Sequence, residues 1–229
     1  MLDLYGGDDA RRLALLQLTR DVHKRGWWAA YDDVLSGAFA ELEDMAGEIR
    51  SWDTQLIPGL LQTEEYALAL IRAGRQTSEE VIDERLRARM HRKTLLQRQH
   101  PPHLSVLLDE AVLRRPVGGA EMMRRQLNAL VELGLKPNIS IRVLPKTVGL
   151  HPALGEGSFV IFAFPPPEDP HVVYLETVAG GIYVEDVEQV TRCNAILDDI
   201  TDLALTEEKS SALITAIGQE QYQPHVEPQ

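Results

Sequence analysis

Hydrophobic spacing changes character at Pro101-Pro102, and that change limits the folds open to this chain. Before the two prolines, apolar residues recur every three or four positions, the period of a helix with one buried face. Asp8 and Asp9 are placed to cap a helix carrying Leu15, Leu18 and Val22 and ending at Gly26. Phe39, Leu42, Met45 and Ile49 mark a second helix, and Pro58-Gly59 interrupts the chain after it. Thr63 caps a short helix with Tyr66, Leu70 and Ile71 that stops near Gly74. Thr77 and Glu80 have the spacing of a capping box, opening a longer helix through Ile82, Leu86 and Met90.

Beyond the prolines the period is two. Leu104, Val106 and Leu108 alternate with Ser105, Leu107 and Asp109, and Ile139, Ile141 and Val143 alternate up to Pro145. Between them Met123, Leu127, Leu130 and Val131 form a helical stripe that ends at Gly134. Lys146 to Gly157 holds three glycines and a proline and reads as a loop. Ser158 to Phe164 reads as a strand covered on both faces. Ala179-Gly180-Gly181 joins Val172–Val178 to Ile182–Val184 as a hairpin. Asp186 caps a helix through Val190, Leu197 and Ile200, and Thr206 caps a last one through Leu213, Ile214 and Ile217. The expected fold is α+β, with a helical N-terminal layer, a central sheet of about five strands over residues 103 to 185, and C-terminal helices.

Composition narrows the function classes. The chain has 229 residues, 44% of them apolar, enough for one sizeable core. Its formal charge of −12 opposes nucleic-acid binding unless cations are gathered in one place. The single cysteine, Cys193, can form neither an internal disulfide nor a four-thiolate zinc site. No apolar run reaches membrane-spanning length and the N-terminus lacks the pattern of a signal peptide, so a cytoplasmic protein is expected, with no membrane contact.

Several residue groups are candidates for function. Arg85, Arg89 and Arg92 share one arc of a helix, a face suited to an acidic partner or to phosphate, or else a solvated face paired with nearby acids. Trp27 and Trp28, with Tyr31, form the densest aromatic cluster and serve either the core or a ligand or partner. Glu110, Arg114 and Glu176 lie at strand ends, where a carboxylate can act as a base and an arginine can hold an anion. His151 precedes Pro152 in the glycine-rich loop and can bind or shuttle a proton. If their strands are neighbours, Glu110 and Glu176 face the His151 loop and form a mouth with Trp27 or Trp28 behind it; the other reading is an exposed loop near an ordinary acidic rim. No nucleophile-and-base spacing, phosphate loop, dinucleotide fingerprint or zinc-protease motif occurs, so no catalytic residue, cofactor or metal is assigned.

Trp27-Trp28, Pro58-Gly59-Leu60-Leu61-Gln62-Thr63, Tyr66-Ala67, Asp109-Glu110-Ala111 and Leu113-Arg114-Arg115-Pro116-Val117-Gly118 occur in an order that carries a further reading. So do Val143-Leu144-Pro145 and Val173-Tyr174-Leu175-Glu176. In that order the chain resembles actinobacterial helix-turn-helix regulators of the xenobiotic-response-element type, the antitoxin-like and WhiJ-like group. The likeness runs over roughly residues 2 to 217, to the C-terminal domain of unknown function in those regulators. It implies that residues 1–26 hold a remnant of the last DNA-binding helix and a connecting helix. Residues 27–217 would form the regulatory domain and 218–229 a loose tail. It further implies sensing, dimerisation or partner binding without DNA binding by this chain alone, through a small partner protein, a small-molecule effector or a second copy. The other reading is a free-standing regulator derivative recruited to natural-product biosynthesis as an enzyme or small-molecule binder.

Overall fold

The computed structural model describes residues 37–74, 78–165 and 170–222. The chain runs α1 (Gly37–Met45), β1 (Glu48–Asp53), α2 (Glu64–Ala73), α3 (Glu79–Arg92), β2 (His103–Asp109), α4 (Glu110–Arg114) and α5 (Ala120–Leu133). It continues with β3 (Ile139–Leu144), β4 (Phe159–Ala163), β5 (Val172–Thr177), β6 (Gly180–Val184), α6 (Val187–Leu203) and α7 (Glu207–Gln221). The fold is α+β, with helices at both ends of the described chain and one six-stranded mixed sheet in the order β3-β2-β1-β4-β5-β6. β1, β2 and β3 are parallel, and β4, β5 and β6 add antiparallel strands on the other side of β1. Among the described residues no helix is long and apolar enough to cross a membrane.

Most of the helix starts follow from their caps. Thr63, Asp186 and Thr206 accept hydrogen bonds from the N–H groups of Tyr66, Gln189 and Lys209, which would otherwise be unpaired in the first turn. α3 starts after Ser78, one residue beyond the expected Thr77, which lies outside the described residues.

The sheet has a core on each face. On one, Ile49, Leu104, Val106, Leu108, Ile141, Val143 and Phe162 meet Leu61 and helical residues Tyr66, Met123, Leu127, Leu130, Ile214 and Ile217. On the other, Trp52, Leu107, Leu144, Phe159, Ile161 and Val173 meet Val190, Leu197 and Ile200 of α6. The outer edge of β3 is closed by the connection between α6 and α7. Leu205 N–H donates to Val143 O (2.9 Å), Val143 N–H donates to Ser210 Oγ (3.0 Å), and Arg142 donates to the carbonyls of Leu205 and Ala204 (2.8 and 3.0 Å). An edge covered in this way cannot template a foreign strand.

Two expectations are corrected. The helix through Ile49 ends at Met45, and the sheet has six strands, the additional one being β1 at its centre. Met45 is 52% exposed and so does not continue the buried stripe. Gly47 already belongs to the sheet, since its N–H donates to Ala163 O and its carbonyl accepts from His103 N–H, both at 2.9 Å. A strand flanked on both sides and packed on both faces shows no clean alternation, which is why Glu48–Asp53 escapes a period-two search.

Because Trp52 is fully buried on the central strand, Trp52→Ala is expected to lower the unfolding free energy by roughly 3–5 kcal/mol. Denaturant titration checks this, with Leu203→Ala, a 46% exposed site, expected to stay near the parent. Equal midpoints for all three proteins would contradict the packing.

Candidate functional site

Parallel strands bring their carboxyl ends to one end of the sheet, and there β2 turns directly into the short helix α4. Asp109 caps that helix by accepting from Ala111 N–H at 2.7 Å. Glu110 and Arg114 lie one turn apart on it and are joined, Arg114 Nε donating to Glu110 Oε1 at 2.7 Å. Lys146, just past the end of β3, donates its backbone N–H to Glu110 Oε2 at 3.0 Å and places its ammonium 3.9 Å from Oε1. Burial pushes the Glu110 carboxyl up. The Lys146 N–H, the Arg114 hydrogen bond and the charges of both residues outweigh it and hold the group below the usual carboxylate range. Arg115 donates Nε to Gln55 O at 3.2 Å. Between these groups lies a cleft of about 350 Å³ lined by Asp109, Glu110, Arg114, Arg115, Pro116 and Lys146.

The structure places the other candidates elsewhere. His151 is buried and its ring stands edge-on to Trp52, centroids 5.8 Å apart. Neither His151 Nδ1 nor Trp52 Nε1 has a hydrogen-bond partner among the described residues. Glu176, exposed on β5, accepts from Tyr174 Oη at 3.0 Å. Glu110 and Arg114 thus share a cleft, which neither His151 nor Glu176 lines. Trp27, Trp28 and Tyr31 lie outside the described residues.

The arginine arc of α3 turns largely inward. Arg92 holds Glu43 of α1 with two hydrogen bonds of 2.8 Å and lies 5.0 Å over the Phe39 ring, the two charged side chains being 11% and 4% exposed. Arg89 donates to Gln62 Oε1 at 3.0 Å, and burial together with the Arg92 charge lowers its pKa. Only Arg85 of the three is exposed. The helical period groups these side chains, but Arg89 and Arg92 turn toward Gln62 and Glu43, where Arg92 satisfies a buried acid, and Arg85 stays exposed.

Lys146 and Asp53 were not legible as site residues. Lys146 follows a strand-ending proline and reaches Glu110 only because β2 and β3 are parallel neighbours. Asp53 ends the unrecognised strand β1. It accepts from Ser51 Oγ at 2.7 Å, and burial, opposed by that bond, pushes its carboxyl up to about 7. Among the described residues no group of three His, Cys, Asp or Glu side chains is placed to hold a metal ion.

Asp53 gives the fold a pH dependence of definite sign. Below the unfolded value of 3.8 its carboxyl is protonated in both states, and its contribution is complete. As pH rises toward about 7 the unfolded chain ionises first, so the stabilisation is progressively lost. Asp53→Asn keeps an acceptor for Ser51 and cannot ionise. Relative to the parent it is expected to gain more than about 1 kcal/mol between pH ~4 and ~8. Urea unfolding across that range checks it, and a parent–variant difference independent of pH would contradict it.

Comparison with curated proteins and with solved structures finds no match. Residues 36–216, well over half of the chain, match the family model DUF5753, a domain of unknown function, and the chain belongs to that family.

Proposed function

We propose that the chain is a regulatory domain of a helix-turn-helix transcriptional regulator, one that recognises an anionic group of an effector or partner in the strand-end cleft and neither binds DNA by itself nor catalyses a reaction. The observation that carries this reading is the state of the charges in the cleft. Glu110 is held by Arg114 and the Lys146 N–H, and Asp109 by the Ala111 N–H. Both acids already accept hydrogen bonds from the chain, while Arg114, Arg115 and Lys146 give the lining an excess of one positive charge in a chain of net −12. Cations concentrated at a concave site attract an anion and fix its position, and arginine offers paired donors to carboxylate or phosphate oxygens. The inward-facing Arg89 and Arg92 support the absence of DNA binding, since they already serve Gln62 and Glu43. One observation favours the enzymatic reading instead: a carboxyl such as Asp53, titrating at about 7, has the value a general acid–base needs.

Succinate and inorganic phosphate test the cleft directly. Each is expected to raise the melting temperature of the chain and to bind less tightly as salt rises. Arg115→Ala combined with Lys146→Ala should weaken binding at least about tenfold while leaving the melt without ligand near the parent's, because both side chains are exposed. Unchanged affinity in the double variant would overturn the site. Loss of binding in Asp53→Asn with the double variant unaffected would move the site to the end of β1.

A further inference from the structure

The fold uses only part of the charge that lines the cleft. Glu110 has both carboxylate oxygens engaged, Oε1 by Arg114 and Oε2 by the Lys146 N–H. Asp109 has one engaged: Oδ1 accepts from Ala111 N–H, and among the described residues Oδ2 has no partner. Arg115 gives Nε to the Gln55 carbonyl and keeps both Nη groups. The Lys146 ammonium lies 3.9 Å from Glu110 Oε1, beyond hydrogen-bond reach, and its side chain is 69% exposed. With Glu110 and Arg114 paired to each other, the charges left for a visitor are two cations, Arg115 and Lys146, and one anion, Asp109.

The sheet holds these three groups around one space. Asp109 is the register partner of Leu144, two residues before Lys146, and Arg115 ends the short helix that Asp109 caps. All three line the same cleft. Its volume of about 350 Å³ is at the small end of the ~300–1,000 Å³ usual for ligand pockets, so the ligand it fits is small. A plain dicarboxylate satisfies Arg115 and Lys146 but sets a negative charge beside Asp109 and brings Oδ2 no donor. An amino acid with one carboxylate satisfies Asp109 but only one of the two cations. Two carboxylates and an ammonium on one short carbon chain satisfy all three, and Ala111 and Pro116 of the lining offer apolar surface to that chain. We infer that the cleft binds a small amino dicarboxylate, an acidic amino acid of the aspartate or glutamate kind, with its carboxylates on Arg115 and Lys146 and its ammonium on Asp109 Oδ2. The inference rests on the anion-binding reading of the cleft and adds the chemical class of the ligand.

Isothermal titration calorimetry with two matched pairs tests it, aspartate against succinate and glutamate against glutarate, the members of each pair differing by the amino group. The parent chain is expected to bind the amino member at least about tenfold more tightly in one pair or both. Asp109→Asn should abolish that advantage, while the melt without ligand stays near the parent's because asparagine also caps helices. Asp109→Ser, which introduces another capping residue, should act in the same way. Asp186→Asn removes an equal charge from the cap of α6 and should preserve the advantage, which separates a contact in the cleft from the overall charge of the chain. Equal affinities within both pairs on the parent, or an advantage that survives in Asp109→Asn, would overturn the inference while succinate binding keeps the cleft. If Arg115→Ala with Lys146→Ala leaves succinate and aspartate bound as before, the cleft itself is wrong and the inference falls with it.

Discussion

The middle position of β1 is the constraint on which the other elements depend. It pairs parallel with β2 on one side and antiparallel with β4 on the other, so the parallel and antiparallel halves of the sheet meet on this strand. Its side chains supply both cores, Ile49 to the face carrying α2, α5 and α7 and Trp52 to the face carrying α6. Neither face closes without it, because burial on each side is what repays the ordering of the helices that cover it. The parallel pairing also fixes where chemistry can gather. It brings Asp53, Asp109 and Lys146 to one end of the sheet, and ligands of α/β sheets characteristically bind outside the carboxyl ends of parallel strands.

Most elements could be read from local pattern because their signals are local. Thr63, Asp186 and Thr206 cap helices where the sequence placed caps, the alternation around Val106 and Ile141 marks real strands, and the Ala179-Gly180-Gly181 signal marks a real hairpin. β1 was hidden because a six-residue strand buried on both faces lacks a clean period, and because Ile49 follows the helical residues Phe39, Leu42 and Met45 at the same spacing. The site divides along the same line. Glu110 and Arg114 are four residues apart, so their pairing is visible in sequence. Lys146 joins them through strand order, which no spacing reveals. His151 and Glu176 were grouped with them on the assumption of neighbouring strand ends. In the fold His151 covers Trp52, while Glu176 sits on antiparallel β5 beside Tyr174.

Charge is distributed unevenly for a chain of net −12. The Arg92–Glu43 pair is withdrawn from solvent and ties α3 to α1 over the Phe39 ring. Removing one member of such a pair leaves the other buried and uncompensated, so it acts as a specific fastening between α3 and α1. The strand-end cations are arranged differently. Lys146 remains largely exposed and Arg115 donates to a backbone carbonyl, so both keep donors for a visiting group. One arginine set therefore holds the fold together, while the other stands at an open cleft.

The central claim is that Glu48–Asp53 is the middle strand of the sheet and not the continuation of a helix. Residue-resolved amide hydrogen exchange under native conditions tests it most directly. The account predicts that the amides of Ile49 through Trp52 exchange in the slowest class, together with those of Val106 and Ile161, because their hydrogen bonds open only when the sheet does. Exchange at Ile49 through Trp52 as fast as at the exposed end of α6 would contradict it.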